Sequence, residues 1–109
     1  MVHKYSPDFQ ALPDSVQSIV KLLTKAVQPE RIRLFGSRAR GDFRPDSDFD
    51  IAVYFDRAKT SEWNRILVEL EEKPISLFKI DLVDFESVSP EFKKNIAAEG
   101  CDLYVHKAN

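Results

Sequence analysis

The chain has 109 residues, of which 43% are apolar, and its formal net charge is −2. This length and apolar content predict one compact domain, residues 1–109, and exclude a wholly disordered protein. The charge offers no broad basic surface for long nucleic acid, and no run of roughly 18 apolar residues predicts a membrane span. Since Cys101 is the only cysteine and the first residues lack the apolar run of a signal peptide, we expect a cytoplasmic protein.

The first predicted elements are a helix and a strand that ends in a tight turn. Apolar side chains recur at helical spacing over residues 14–26, and residues 31–35 form a short β-type run. Gly36 and Ser37 follow that run at once. Because a Gly-Ser turn leaves backbone N–H groups and a hydroxyl free to meet anionic oxygens, the sequence predicts a phosphate-binding turn at the end of this strand.

Two aspartates mark the next predicted strand. Residues 49–55 alternate between apolar and polar side chains, which is the period of a strand with one apolar face. Asp48 and Asp50 share the other face, because side chains two positions apart on a strand point the same way. Carboxylates suit Mg²⁺, and one or two are enough when a triphosphate supplies further oxygens. The pair therefore predicts a site for Mg²⁺ and a nucleoside triphosphate.

The second half of the chain predicts two helices and two further strands. Helical spacing and end signals place the helices at residues 62–71 and 90–99. The strands are predicted at residues 78–85 and 102–105, the latter at an edge of the sheet.

Asp81, in the third predicted strand, is a candidate third carboxylate beside Asp48 and Asp50. It would help to hold a second metal ion or take the proton from an attacking hydroxyl during in-line displacement at phosphorus. Asp84 lies three positions further on, but strand alternation puts it on the opposite face from Asp81. The expected chemistry is phosphoryl or nucleotidyl transfer.

Three arginines and one aromatic residue surround the predicted turn. Arg38, Arg40 and Arg44 carry guanidinium groups that suit phosphate, although arginines in surface loops are commonly only solvated. Phe43 could stack on a nucleotide base or pack against the local core. Both alternatives stay open for each of these residues.

The spacing of the turn and the aspartates matches a family pattern, G-S-x-A-x-G-x5-S-D-x-D-x-x-V. Its fixed positions are Gly36, Ser37, Ala39, Gly41, Ser47, Asp48, Asp50 and Val53. On these residues the chain resembles the minimal nucleotidyltransferases of the polymerase β-like superfamily, and residues 79–83 resemble the family's later strand with its third aspartate.

The resemblance implies a small α+β nucleotidyltransferase core, a short mixed sheet with helices packed on one face. Gly36 and Ser37 would bind the nucleotide, and Asp48, Asp50 and Asp81 would be the catalytic residues and the ligands of Mg²⁺. The reaction would move a nucleoside monophosphate, AMP from ATP, to a hydroxyl of a partner protein. The family also resembles the antitoxins of two-gene toxin–antitoxin pairs, whose partner is a small helical HEPN protein.

Two other functions stay open on the sequence. The first is a non-catalytic nucleotide-binding module that neutralises or regulates a partner by complex formation, which the small size of the chain favours. The second is a small enzyme that transfers a nucleotide to an antibiotic or a metabolite. Assembly as a homo-oligomer or a hetero-oligomer is compatible with each.

Overall fold

The computed structural model describes the backbone of residues 2–107 and the side chains of residues 5–106. The elements, in chain order, are β1 (Val2–Tyr5), α1 (Pro7–Gln10), α2 (Asp14–Val27), β2 (Arg31–Phe35), α3 (Ser37–Arg40), β3 (Phe49–Tyr54), α4 (Thr60–Glu72), β4 (Ile80–Asp84), α5 (Pro90–Glu99) and β5 (Cys101–Lys107). Short 3₁₀ turns at Arg57–Lys59 and Phe85–Ser87 come before α4 and α5. Within residues 2–107, no helix combines the length and the apolar character needed to cross a bilayer.

The strands form one mixed sheet in the order β1-β5-β2-β3-β4. Neighbouring strands are antiparallel, except that β3 and β4 run parallel. This arrangement confirms the predicted α+β class and mixed sheet. The prediction of an edge strand at residues 102–105 is wrong, because β1 pairs with β5 on the side away from β2 and makes β5 an inner strand.

The larger helical layer covers one face of the sheet. Its buried positions follow the helical spacing seen in the sequence and are Val16, Ile19, Val20, Leu23 and Val27 of α2 with Trp63 and Ile66 of α4. They pack against buried side chains that alternate along the central strands, including Ile32, Leu34, Phe49, Ile51 and Val53. Since burying one such side chain contributes about 1.5–3 kcal/mol, this layer supplies most of the driving force for folding.

The last helix, α5, lies on the opposite face. Its one fully buried side chain, Ile96, packs with Phe35 and Ala52, whose positions alternate with those of the larger core. The prediction that the helices pack on one face of the sheet holds for α2 and α4 but is wrong for α5, which packs on the other face. The face that α5 covers is also the face that carries Asp50.

The start of the chain contains two elements that the sequence did not predict, β1 and α1. For α1 a local signal was present, because the Ser6 hydroxyl accepts a hydrogen bond from the Phe9 N–H and Pro7 opens the helix. The four residues of β1 carry no clear alternation, and their partner strand lies at the other end of the chain. The local pattern of apolar residues cannot predict a pairing between strands so far apart in the chain.

An ion pair between Asp84 and Arg57 fixes the C-terminal end of β4. Two guanidinium nitrogens of Arg57 donate to the two oxygens of Asp84, each at 2.7 Å, and the Ser87 hydroxyl donates at 2.8 Å. Burial alone would raise the pKa of Asp84, but the hydrogen bonds from Arg57 and Ser87 outweigh it and hold that pKa below its ordinary value. Asp84 is thus a structural carboxylate.

Asp84→Asn is expected to lower the free energy of unfolding by about 1 kcal/mol at neutral pH, because Arg57 loses its charged partner. The folded pKa of Asp84 is depressed, so its stabilisation is present above the unfolded pKa of about 3.9 and is lost as the pH falls through the folded pKa. Urea unfolding at neutral pH and at about pH 3 measures this difference. Asp46→Asn, at an exposed loop position, is the control, and an equal loss for Asp84→Asn at both pH values would contradict the expectation.

Candidate functional site

The predicted turn and the three predicted carboxylates lie at one end of the sheet. Because β2 is antiparallel to β3, the end of β2 meets the start of β3. Because β4 is parallel to β3, its first residues lie at the same end. The fold therefore brings together the five predicted site residues, Gly36, Ser37, Asp48, Asp50 and Asp81.

Gly36 adopts a conformation that other residues rarely reach. Its φ of 72° and ψ of −157° fall in a region that is essentially restricted to glycine. A Cβ atom at this position would also overlap Oδ2 of Asp50. The backbone of the turn is therefore in direct contact with the carboxylate, and Ser37 follows as the first residue of α3.

Asp50 and Asp81 face each other across the parallel strands. They are register partners in β3 and β4, so their side chains lie on the same face of the sheet. Burial raises the pKa of Asp50, and the negative charges of Asp81 and Asp48 raise it further, whereas Arg40 acts in the opposite direction. The three carboxylates are thus close enough to repel one another, which favours a cation between them.

Asp48 lies just before β3 and has a different neighbour. Its Oδ2 atom is 3.7 Å from Nζ of Lys79, which is largely exposed. Lys79 was not among the predicted site residues, although a cation two positions before Asp81 was visible in the sequence. The pair balances one of the negative charges at this end of the sheet.

The donor set fits a hard divalent cation in its chemistry. Carboxylate oxygens are the preferred ligands of such ions, and Asp50 and Asp81 repel each other without one. Among the side chains of residues 5–106, however, no three His, Cys, Asp or Glu residues already stand in a metal-binding arrangement. Asp48 would have to turn from Lys79 toward the other two carboxylates to complete the set.

Asp84 is excluded from this constellation by its position. It is the last residue of β4, pairs with Val53 in the register and binds Arg57. Strand alternation had separated Asp81 from Asp84, and the structure separates them further by placing them at opposite ends of the strand.

The three arginines near the turn differ in their surroundings. Arg38 donates to the backbone carbonyls of Pro45 and Ser47, while Arg40 is paired with Asp42 and Glu99. The exposed side chain of Arg44 makes no hydrogen bond or ion pair to any described residue. Its backbone is engaged with Ser47 instead, because the Arg44 N–H donates to the Ser47 hydroxyl and the Arg44 carbonyl accepts from the Ser47 N–H.

Phe43 packs locally in the structure. Its ring centroid lies 4.3 Å from the guanidinium carbon of Arg38, although 45% of the residue stays exposed. Of the two interpretations left open by the sequence, this contact favours packing within the loop.

The family model described as "Polymerase beta, Nucleotidyltransferase" matches residues 17–109. A protein of Methanocaldococcus jannaschii, named as a candidate protein adenylyltransferase, is 38% identical over 79 residues, which is 70% of this chain and 78% of that protein. The protein adenylyltransferase MntA of Aphanizomenon flos-aquae is 29% identical over 100 residues. That match covers 78% of this chain and 63% of MntA, so it spans less than two thirds of that relative.

A solved structure with the same fold is a toxin–antitoxin complex crystallised with AMP-PNP. One of its chains superposes with a TM-score of 0.60 and is 27% identical, over 87% of this chain and 76% of that chain. AMP-PNP is an analogue of ATP, so the ligand of that complex is a nucleoside triphosphate analogue.

Proposed function

The chain belongs to the polymerase β-type nucleotidyltransferase family, and we propose that it transfers AMP from ATP to a hydroxyl of a partner protein as the antitoxin of a toxin–antitoxin pair. The observation that carries this proposal is that Gly36 contacts Asp50 at one end of the sheet. At the same end, the negative charges of Asp48 and Asp81 act on Asp50. This geometry supports a phosphate-binding turn placed against a cation-binding set of carboxylates.

In the proposed reaction, the backbone N–H groups at Gly36 and Ser37 and the Ser37 hydroxyl bind the triphosphate. Asp48, Asp50 and Asp81 would hold Mg²⁺, and nucleotidyltransferases generally use a divalent metal. When bound, Mg²⁺ neutralises charge that develops on the phosphate oxygens. The acceptor oxygen forms a bond to the α-phosphorus, and the bond from that phosphorus to the bridging oxygen breaks and releases pyrophosphate. Asp81, the most exposed of the three carboxylates, accepts the proton of the attacking hydroxyl.

The proposed partner is a small helical HEPN-type protein that presents a tyrosine hydroxyl. Support comes from the name of MntA as a protein adenylyltransferase and from the toxin–antitoxin complex with AMP-PNP. We place the reaction in the cytoplasm, where ATP is present. Modification of the partner would silence its activity.

Incubation of the chain with labelled ATP, Mg²⁺ and its partner is expected to label the partner at a tyrosine. Asp48→Ala should remove the label, because it deletes a carboxylate that the metal requires. Asp46→Ala, a carboxylate change two positions away in the exposed loop, should label as well as the wild type. Equal labelling by wild type and Asp48→Ala would refute the catalytic proposal.

A second candidate is a non-catalytic antitoxin that only binds its partner and senses nucleotide. One observation favours it: Asp48 is paired with Lys79, so the described carboxylates are not already arranged around one metal. Co-expression of the partner with the Asp48→Ala, Asp50→Ala variant separates the two candidates. Protection of the cells would support complex formation alone, and loss of protection by a variant that still folds would support chemistry.

A further inference from the structure

We propose that Arg38 is a positioning residue that fixes the loop of residues 41–47 and thereby places Asp48, a role that presupposes the nucleotidyl transfer proposed above. Nε and Nη2 of Arg38 lie 3.3 and 3.1 Å from the Ser47 carbonyl oxygen, and Nη2 lies 3.1 Å from that of Pro45. Ser47 is covalently joined to Asp48, so these bonds fix the backbone next to the carboxylate.

Aromatic rings also pack around the Arg38 guanidinium. Its central carbon lies 4.3 Å from the ring centroid of Phe43 and 4.2 Å from that of Phe49, with Phe78 further away at 5.8 Å. A planar guanidinium can stack on rings and donate to carbonyls at its edge at the same time, which an ammonium group cannot do. Arg38 therefore has a specific binding site built by the loop and β3.

This position links the two halves of the candidate site. Arg38 is in α3, one residue after Ser37 of the phosphate-binding turn, and its guanidinium holds the residue that comes before Asp48. The turn is thus joined to the carboxylate strand by a side chain as well as by the loop.

The alternative is that Arg38 binds the triphosphate directly. To do so, its guanidinium would have to leave three hydrogen bonds to carbonyl oxygens and two close ring contacts. Arg40 lies differently, because it is exposed and its ion pairs with Asp42 and Glu99 are at 3.3–3.4 Å. The contacts of Arg38 are those of a residue that organises the loop.

Hydrogen exchange of the metal-free protein tests this role without reference to activity. Arg38→Ala is expected to speed exchange of the amides in residues 42–49 by about tenfold, because the loop loses its side-chain anchor. Exchange in α2 should stay as in the wild type. Arg44→Ala removes an arginine that makes no side-chain hydrogen bond to the described residues, and it should leave the loop unchanged. Wild-type exchange of residues 42–49 in Arg38→Ala would overturn the proposal.

The second measurement separates positioning from phosphate contact. In the labelling reaction, Arg38→Ala should raise the Mg²⁺ concentration for half-maximal rate by about tenfold, since a displaced Asp48 weakens the metal site. ATP binding in EDTA should be unchanged. Weaker ATP binding in EDTA together with normal loop exchange would identify a phosphate ligand instead and overturn the proposal.

If Arg38→Ala does not fold, Arg38→Lys is the variant that tests the proposal. Lysine retains the charge but lacks the planar fork, so it should also loosen residues 42–49 and raise the Mg²⁺ requirement. Full recovery of both readouts by lysine would overturn the role of the guanidinium. If the wild type labels no partner, the proposed function fails, while the exchange data still decide whether Arg38 holds the loop.

Discussion

Asp50→Asn is expected to reduce AMP transfer roughly a thousandfold while raising the melting temperature of the metal-free protein by about 2–4 °C. The amide keeps the shape of the carboxylate but loses the negative charge that is proposed to bind Mg²⁺. It also removes the repulsion that Asp50 experiences from Asp81 and Asp48 in the absence of a cation. The carboxylate proposed to support the chemistry is thus expected to destabilise the metal-free protein, which is a common property of functional sites.

The gain in stability depends on pH in a defined direction. The pKa of Asp50 is raised by burial and by the neighbouring carboxylates, so the cost of its charge is present at neutral pH, declines as the pH falls through the folded pKa, and is gone below the unfolded pKa of about 3.9. The melting temperatures of Asp50→Asn and wild type should therefore converge in acid. Asp46→Asn, at an exposed position, is the matched control and should change neither property. Wild-type transfer by Asp50→Asn, or a lower melting temperature at neutral pH, would contradict the assignment.

Added Mg²⁺ and ATP should reverse the order of stabilities. We expect the wild type to bind the ion and to gain stability by mass action, whereas Asp50→Asn lacks one of the proposed ligands and should gain less. A thermal unfolding series in Mg²⁺ and ATP measures this reversal independently of any partner protein.

The strands next to the site could be predicted from local pattern. Residues 31–35 were placed as the structure has them, and residues 49–55 to within one residue, because their apolar alternation reports directly which face is buried. The same alternation correctly separated Asp81 from Asp84. The pattern does not predict which strand lies next to which in the sheet.

The contact between Asp50 and Asp81 depends on such a neighbour. It exists because β4 pairs parallel to β3 with these two residues in register. The inner position of β5 depends in the same way on β1, which pairs with it from the far end of the chain. Strand periodicity is a local property and pairing is a long-range one, so the candidate residues could be predicted but their geometry could not.

The side chain of Arg38 illustrates a further limit. In the sequence, an arginine beside a phosphate-binding turn is a natural phosphate ligand. The structure engages it with the carbonyls of Pro45 and Ser47 and with the rings of Phe43 and Phe49. Because backbone acceptors have no signature in the sequence, only the folded loop reveals this use of the side chain.

Gly36→Ala is the second variant for which we expect a large effect. It should lower the free energy of unfolding by about 2–3 kcal/mol, because alanine is strained at this backbone conformation. The new methyl group also overlaps Oδ2 of Asp50, so the carboxylate must move away from the turn. We expect AMP transfer to fall by about a hundredfold or more, since a 1 Å displacement at a reacting centre has that effect.

Gly41→Ala provides the matched control for backbone strain. Gly41 also has a positive φ, 89°, but a Cβ atom there would meet no atom within 4 Å. This variant should lose only about 1 kcal/mol of stability and keep most of its activity, because no carboxylate is displaced. Chemical unfolding and the labelling assay on both variants separate strain from steric overlap.

The overlap itself can be isolated by a double-mutant cycle with Asp50→Ala. Removing the Asp50 carboxylate deletes the atom that the Gly36→Ala methyl group would meet, so the double variant should be more stable than the sum of the two single changes predicts. The backbone strain of Gly36→Ala is the same with and without the Asp50 carboxylate, so it cancels in the cycle. Additive effects of the two changes would mean that the turn and the carboxylate do not touch, and the coupling of phosphate-binding turn to cation site proposed for this fold would then be wrong.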